Sequence, residues 1–300
     1  MADPKQVRQT GSRVSEQETS LLDQIIENIA TEPTQREFAR DIIDEFAQQV
    51  LDGSMVVSKD TEAMIKARIG QLDALISAQL NEVMHAPEFQ RLEASWRGLH
   101  YLVHESETST SLKVKVFNLS KKDLLKDLER APEFDQSALF KKIYEEEFGI
   151  FGGAPFGTLL GDYEFSNLPQ DIQMLEKMSN IAAAAHAPFL TAADPKMLRL
   201  NSFDQLGDPR DVAKIFDSVE YAKWKSFRES EDSRYVGLCL PHVLMRQLYV
   251  REDVPVESFN FEEDVDGRHH DKYLWGNAAY ALATRVTSAF AHHGWTTERA

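Results

Sequence analysis

Few side chains in this sequence could do chemistry, and they are scattered. Cys239 and His242 are the nearest Cys/His pair, and a thiol beside an imidazole can serve as a nucleophile with its base. Cys239 lies inside the apolar run Tyr235–Leu240, a setting in which cysteine acts as a small hydrophobe. Asp264, Asp266, His269 and His270 gather carboxylate and imidazole donors that could hold a divalent metal. Their spacing matches neither a helical His-x-x-x-His pair nor a Cys-based site, and they read as an acidic surface loop. His292 and His293 read the same way. Gly149, Gly152, Gly153 and Gly157 form the glycine-rich stretch. A phosphate loop needs glycines that open a helix, usually with a lysine following. Here they follow a helical pattern, lead into a strand and have no lysine beside them, so they read as a helix-to-strand connection. There is no Gly-x-Ser-x-Gly elbow, and Glu145–Glu147 reads as a solvated helix face. The residues predict no catalytic centre, no metal site and no cofactor. A hydrolase built on Cys239 with His242, or on the 264–270 cluster, stays as an alternative.

The elements that would position these residues belong to a layered α/β protein. The chain has 300 residues, 42% hydrophobic and 27% charged, with a formal net charge of −16. That is enough apolar material for a sizeable core. So strong a negative charge argues against a broad nucleic-acid surface, which needs concentrated Lys and Arg. No run of about 18 apolar residues is present for membrane insertion, and Met1–Arg13 lacks the apolar centre of a signal peptide. A single cysteine excludes an internal disulfide framework. Together these predict a cytoplasmic protein.

The first hundred residues read as helices. Ser15–Glu18 fits a capping box, and behind it Leu21, Leu22, Ile25, Ile26 and Ile29 build one apolar stripe. That stripe could pack on the chain's next helix or enter a groove on a partner. Pro33 closes this helix, and Thr34–Glu37 opens a second whose inner face carries Phe38, Ile42, Phe46 and Val50. Gly53 breaks it, and Met55–Val57 favours a short strand that must pair elsewhere. A third helix places Met64, Ile65, Ile69, Leu72, Leu75, Ile76, Leu80 and Val83 on an inner face; a fourth, from Pro87, does so with Phe89, Leu92, Trp96, Leu99 and Leu102. Leu112, Val114 and Val116 then alternate as a strand would. Helices are expected near 121–130, 136–147, 169–185 and 273–293, with two more over 209–228, and strands near 156–163, 188–191 and 235–240. Asp194–Pro195 and Asp208–Pro209 each read as an N-cap followed by proline at the first helical position.

Several longer runs resemble one family. PEFQRLEASWRGLHYLV (Pro87–Val103), FGTLLGDYEF (Phe156–Phe165), AHAPFLTAA (Ala185–Ala193) and EYAKWKSFRESEDSRYVGLCL (Glu220–Leu240) are similar to signatures of the large sheath subunit of bacterial type VI secretion systems, the TssC or VipB family. The resemblance spreads from about residue 16 to the end of the sequence. It implies a structural subunit that pairs with a small sheath subunit (TssB, or VipA) and stacks with other sheath protomers around an inner tube. It further implies that the AAA+ unfoldase ClpV recognises the N-terminal helix at Leu21, Leu22, Ile25, Ile26 and Ile29. Ser54, Met55, Val56, Val57 and Ser58 would form a linker strand paired with a neighbouring protomer, and Phe38, Ile42, Phe46, Ile69, Leu72 and Ile76 are candidates for the small-subunit interface. The expected organisation is a disordered stretch over 1–14, N-terminal helices over 15–51, the linker strand over 52–59, a helical region over 60–110 and the α/β sheath domain over 111–300. Family members run on into a further C-terminal region. Contact with the inner tube and full polymerisation are therefore expected to need more than these residues, and a non-polymerising adaptor is the alternative reading. His242 and Gln247–Leu248 depart from the family's run, where Arg and Leu-Pro are expected.

Overall fold

Phe189–Ala193 contains one polar side chain, Thr191, and all five residues are buried. A run buried on both faces must be an inner strand with cover on each side. The computed structural model describes residues 40–42, 44, 45, 48, 61–207, 211–250, 256 and 259–294. Its helices are α1 (Thr61–Met84), α2 (Pro87–His104), α3 (Lys121–Arg130), α4 (Ala138–Phe140, continuing as a π-helix over Lys141–Phe148), α5 (Pro169–Ala184), α6 (Val212–Ile215), α7 (Ala222–Glu229) and α8 (Ala279–His293). The strands are β1 (Leu159–Phe165), β2 (Phe189–Ala193), β3 (Val236–Cys239), β4 (Val243–Leu244) and β5 (Trp275–Gly276). The chain divides within α1, between Leu75 and Ile76, into two units. Of the first, the described residues are helical ones within 40–48 and the opening of α1.

In the second unit β1, β2 and β3 form a parallel sheet with β2 central, Phe189 lying opposite both Leu159 and Val236. Parallel neighbours need a crossover, and α5 supplies the one between β1 and β2. Pro169 opens α5 at a position where the missing N–H costs nothing. Its Ile172, Leu175, Met178 and Ile181 then meet Phe165, Phe189 and Val236 in the main core. On the other face Leu160 packs with Tyr280 and Ala283 of α8 and Leu102 of α2. The Asn277 side chain seats α8. It donates to the β1 carbonyls of Gly161 and Tyr163 at 3.2 and 3.3 Å, and accepts the Ala279 N–H at 2.8 Å.

Local signals act as their chemistry demands. Ser120 accepts the Asp123 N–H at 3.1 Å and caps α3, whose Leu124 and Leu128 face the core one turn apart. Asp194 caps the turn that Pro195 opens, although that turn is a 3₁₀ helix. Asp208–Pro209 lies outside the described residues; the next cap is Asp211, on a four-residue helix, and the two helices expected over 209–228 are α6 and α7, with a 3₁₀ turn between them.

Three expectations are corrected. Leu112–Val116 alternates as a strand would, yet no described strand pairs with it, and alternation without a ladder partner leaves extended coil. The last helix starts at Ala279 and not near 273, because Trp275–Gly276 pairs antiparallel with Val243–Leu244. The stripes expected to face inward on α1 and α2 are largely exposed: Ile65, Ile69, Leu72, Leu75, Ile76 and Val83 on the first, Phe89, Leu92 and Trp96 on the second. Helix α2 does bury Leu102 as expected, but its other buried residues are Ala94 and Gly98. Gly98 permits this approach, since a Cβ there would stand 2.4 Å from the Tyr280 ring.

What turns α2 this way is a buried charge cluster. Arg246 grips Glu263 with two bonds of 2.6 and 2.8 Å, and its Nε reaches Glu93 of α2 at 3.0 Å. Arg97 donates to the same Glu93 oxygen at 2.7 Å, and His85, beyond α1, lies 3.3 Å from Glu263. The Glu263 side chain is wholly buried. Burial pushes its carboxyl up, but the Arg246 bonds, the Tyr249 N–H and His85 outweigh this and hold it below the ordinary value of 4.5. A depressed carboxyl contributes stability that is fully present above its unfolded-state value and is lost as pH falls through the folded-state value. The wild type should therefore lose stability on acidification below about pH 4.5 more steeply than Glu263→Gln, as read by urea midpoints across pH. Arg246→Leu strands the buried carboxylate and should cost about 3–5 kcal/mol. Gly98→Ala should cost about 1–3 kcal/mol by forcing α2 off Tyr280, which a thermal melt would register.

Candidate assembly surface

The groups that could have done chemistry are engaged elsewhere. Cys239 ends β3, and burial pushes its thiol up from the ordinary value, so the thiolate is disfavoured. His242 points to Glu164, with Nε2 2.8 Å from its carboxylate, and stands edge-on to the Phe203 ring. The 264–270 loop resolves into two pairs. Asp264 binds Lys272 at 2.6 Å; Asp266 accepts the Arg268 and His269 N–H groups and meets His269 Nδ1 at 2.8 Å. Those backbone bonds, with the His269 side chain, hold the Asp266 carboxyl down to about 2. Among the described residues no three His, Cys, Asp or Glu side chains converge as a metal site would require. The glycine-rich stretch is the connection expected from its flanks: Gly149 caps the π-helix, Gly152 is left-handed, and a Cβ at Gly153 would meet the Glu147 carbonyl at 2.1 Å.

The unusual feature lies in apolar side chains that face water. Ile69 is 52% exposed and Ile76 50%, and the same holds along α1 for Ile65, Leu72, Leu75 and Val83. Clustered apolar exposure of this extent marks a contact surface. Within the second unit a cleft of about 860 Å³ opens between α2, the 110–119 segment, β1 and α8. Leu92, Trp96, Leu99, Val114, Val116, Tyr280, Val286 and Phe290 line it. Burial, then the charge of Asp162, pushes the Tyr280 hydroxyl up, so this phenol stays protonated beside the Asp162 carboxylate. Val116, Phe117, Ile150 and Phe151 are exposed as well.

Of the residues singled out from sequence, Ile42, Ile69, Leu72 and Ile76 are helical and exposed. Phe38, Phe46, the stripe Leu21–Ile29 and the segment Ser54–Ser58 lie outside the described residues. Sequence reasoning missed the cleft and the Arg246 cluster. The signal for the second was Arg246 standing amid mostly apolar neighbours; Glu263 lies within the acidic run Glu262–Asp264, and nothing in one sequence joins the two.

Among the described residues of this α/β body no metal-ligating cluster converges, and apolar side chains stand open to water along α1 and in the cleft. Residues 66–299 match the family described as VipB (EvpB/VC_A0108), tail sheath N-terminal domain, and the chain belongs to that family of structural sheath proteins. Over 262 residues, 87% of this chain, it is 46% identical to the type VI secretion system sheath protein TssC1 of Pseudomonas aeruginosa. The match covers 53% of that relative, so the chain spans about half its length. Among the described residues no helix is long and apolar enough to cross a membrane.

If the outer side of α2 is contact surface and not core, replacing Leu92 and Trp96 together by Asp should change stability by no more than about 0.5 kcal/mol per site. The same variant should bind less of a hydrophobic dye. A loss of several kcal/mol would mean that this face is core.

Proposed function

We propose that the chain acts as a large sheath subunit of a type VI secretion system, working through contacts and not through catalysis. It would pair in the cytoplasm with a small sheath subunit of the TssB or VipA type and stack with other protomers around an inner tube. The observation that carries this reading is the apolar stripe of α1, with Ile69, Leu72 and Ile76 exposed on a helix that also holds the chain's own structure. Burying each such side chain is worth about 1.5–3 kcal/mol, a strong drive toward a partner. The family match and the likeness to TssC1 support the same reading. Ile42, with Phe38 and Phe46, would extend the small-subunit contact. Met55–Val57 would add its strand to a neighbour's sheet by backbone pairing. Leu21, Leu22, Ile25, Ile26 and Ile29 would offer ClpV an amphipathic helix. Tube contact would depend on the C-terminal region that longer family members carry.

Co-expression with a small sheath subunit tests this. A stable complex is expected, and Ile69→Asp with Ile76→Asp should abolish it while leaving the circular dichroism of the free chain intact. Tubules in the electron microscope would show that these residues suffice for assembly. A paired complex without tubules would favour the adaptor role. Failure of the folded wild-type chain to bind any small subunit would overturn the proposal.

A further inference from the structure

Within the second unit, the turn that leads from α4 into β1 carries Ile150 and Phe151 at its tip, 54% and 106% exposed. Glycines flank the pair, at 149 and at 152–153. At the foot of the turn the Phe148 ring lies 5.9 Å from His186, and His186 lies 6.4 Å from Tyr235. His186 precedes β2 and Tyr235 precedes β3. The tip therefore stands at the end of the parallel sheet where its strands begin.

At the other end lies an apolar hollow of about 330 Å³. Met197 and Leu198, which follow β2, and Leu240, which follows β3, line it together with Phe216, Trp224 and Leu238. An apolar cavity of about 150 Å³ holds a benzene ring, so the hollow has room for the Phe151 ring and the Ile150 side chain. Leu240 is 43% exposed, so the hollow is open to water. Arg228 lines it too; it donates to the Ser233 carbonyl at 2.9 Å and lies over the Trp224 ring, but no described carboxylate pairs with it. Before the tip, Glu147 is held by Lys115 and Glu146 by Lys142, while Glu145 is exposed and has no ion-pair partner among the described residues.

Tip and hollow thus match in size, in apolar character and in sign of charge, yet opposite ends of one sheet cannot meet within a chain. We propose that Ile150 and Phe151 of one copy seat in the hollow of a second copy of this chain. The contact joins unlike surfaces, so each added copy offers a fresh tip at one end and a fresh hollow at the other, and growth runs head to tail. It needs neither α1 nor a small subunit, so its failure would leave the sheath reading standing.

Sedimentation of the full chain should show oligomers that lengthen with concentration. Phe151→Ser and Leu240→Asp, both at exposed positions, should each weaken the association about tenfold to a hundredfold, as expected for one buried apolar side chain. An equal mixture of the two variants should recover one contact, intact tip to intact hollow, and stop at dimers. A benzophenone side chain placed at Phe151 should cross-link to the segment 216–240 of another copy. A chain monomeric at every concentration, a variant mixture that stays monomeric, or cross-links outside that segment would overturn the contact. So would a monomeric chain that pellets with phosphatidylcholine–phosphatidylglycerol vesicles through Phe151.

Discussion

Glu263 is a carboxylate with no access to water, and much of the second unit is arranged to make that tolerable. Ionised and alone it would be prohibitive to bury; gripped by Arg246 and approached by His85, it is compensated. Because Arg246 also reaches Glu93, the cluster can close only when α2 presents one side to the segments around 246 and 263. A buried ion pair of this kind adds little over a well-packed apolar substitute, and its use here is as a registry device. It selects Ala94, Gly98 and Leu102 as the inner side of α2 and leaves Leu92 and Trp96 outside.

That choice explains which parts of the molecule were legible in the sequence. β2 and α5 could be read because burial on both faces, or a proline start followed by an apolar stripe, is written in adjacent residues. Asp194, read as a cap before Pro195, is equally local. The inner side of α1 and α2 was not readable, since each carries apolar residues on more than one side and periodicity alone does not rank them. The charges that rank them are about 150 residues apart in the chain, as with Arg246 and Glu93. Leu112–Val116 shows the same gap: alternation reports a side-chain pattern, while a strand is defined by a neighbour's backbone. The pairing of β4 with β5 lies beyond local reading for that reason. Family motifs could be recognised at Pro87–Val103 and Glu220–Leu240 without any of this geometry, which is why kinship came through more clearly than surface.

The outcome is a division of labour within single helices. In α2 the side that meets Tyr280 is made of small residues that let two helices approach, and the opposite side keeps the large rings and branched chains. In α1 the polar residues Ser77 and Asn81 bond to the carbonyls of Asn260 and Glu262. The apolar stripe is left over. A helix that attaches itself to its own chain through hydrogen bonds and keeps its hydrophobic side chains outward is organised for association.

The half-buried thiol of Cys239 has a practical side. It is the chain's one sulfhydryl, and burial keeps it protonated. Near neutral pH it should therefore be slow to react with maleimides. A cysteine introduced on an open face would take a dye or spin label first, so the native sequence already provides a quiet background for distance measurements within an assembly.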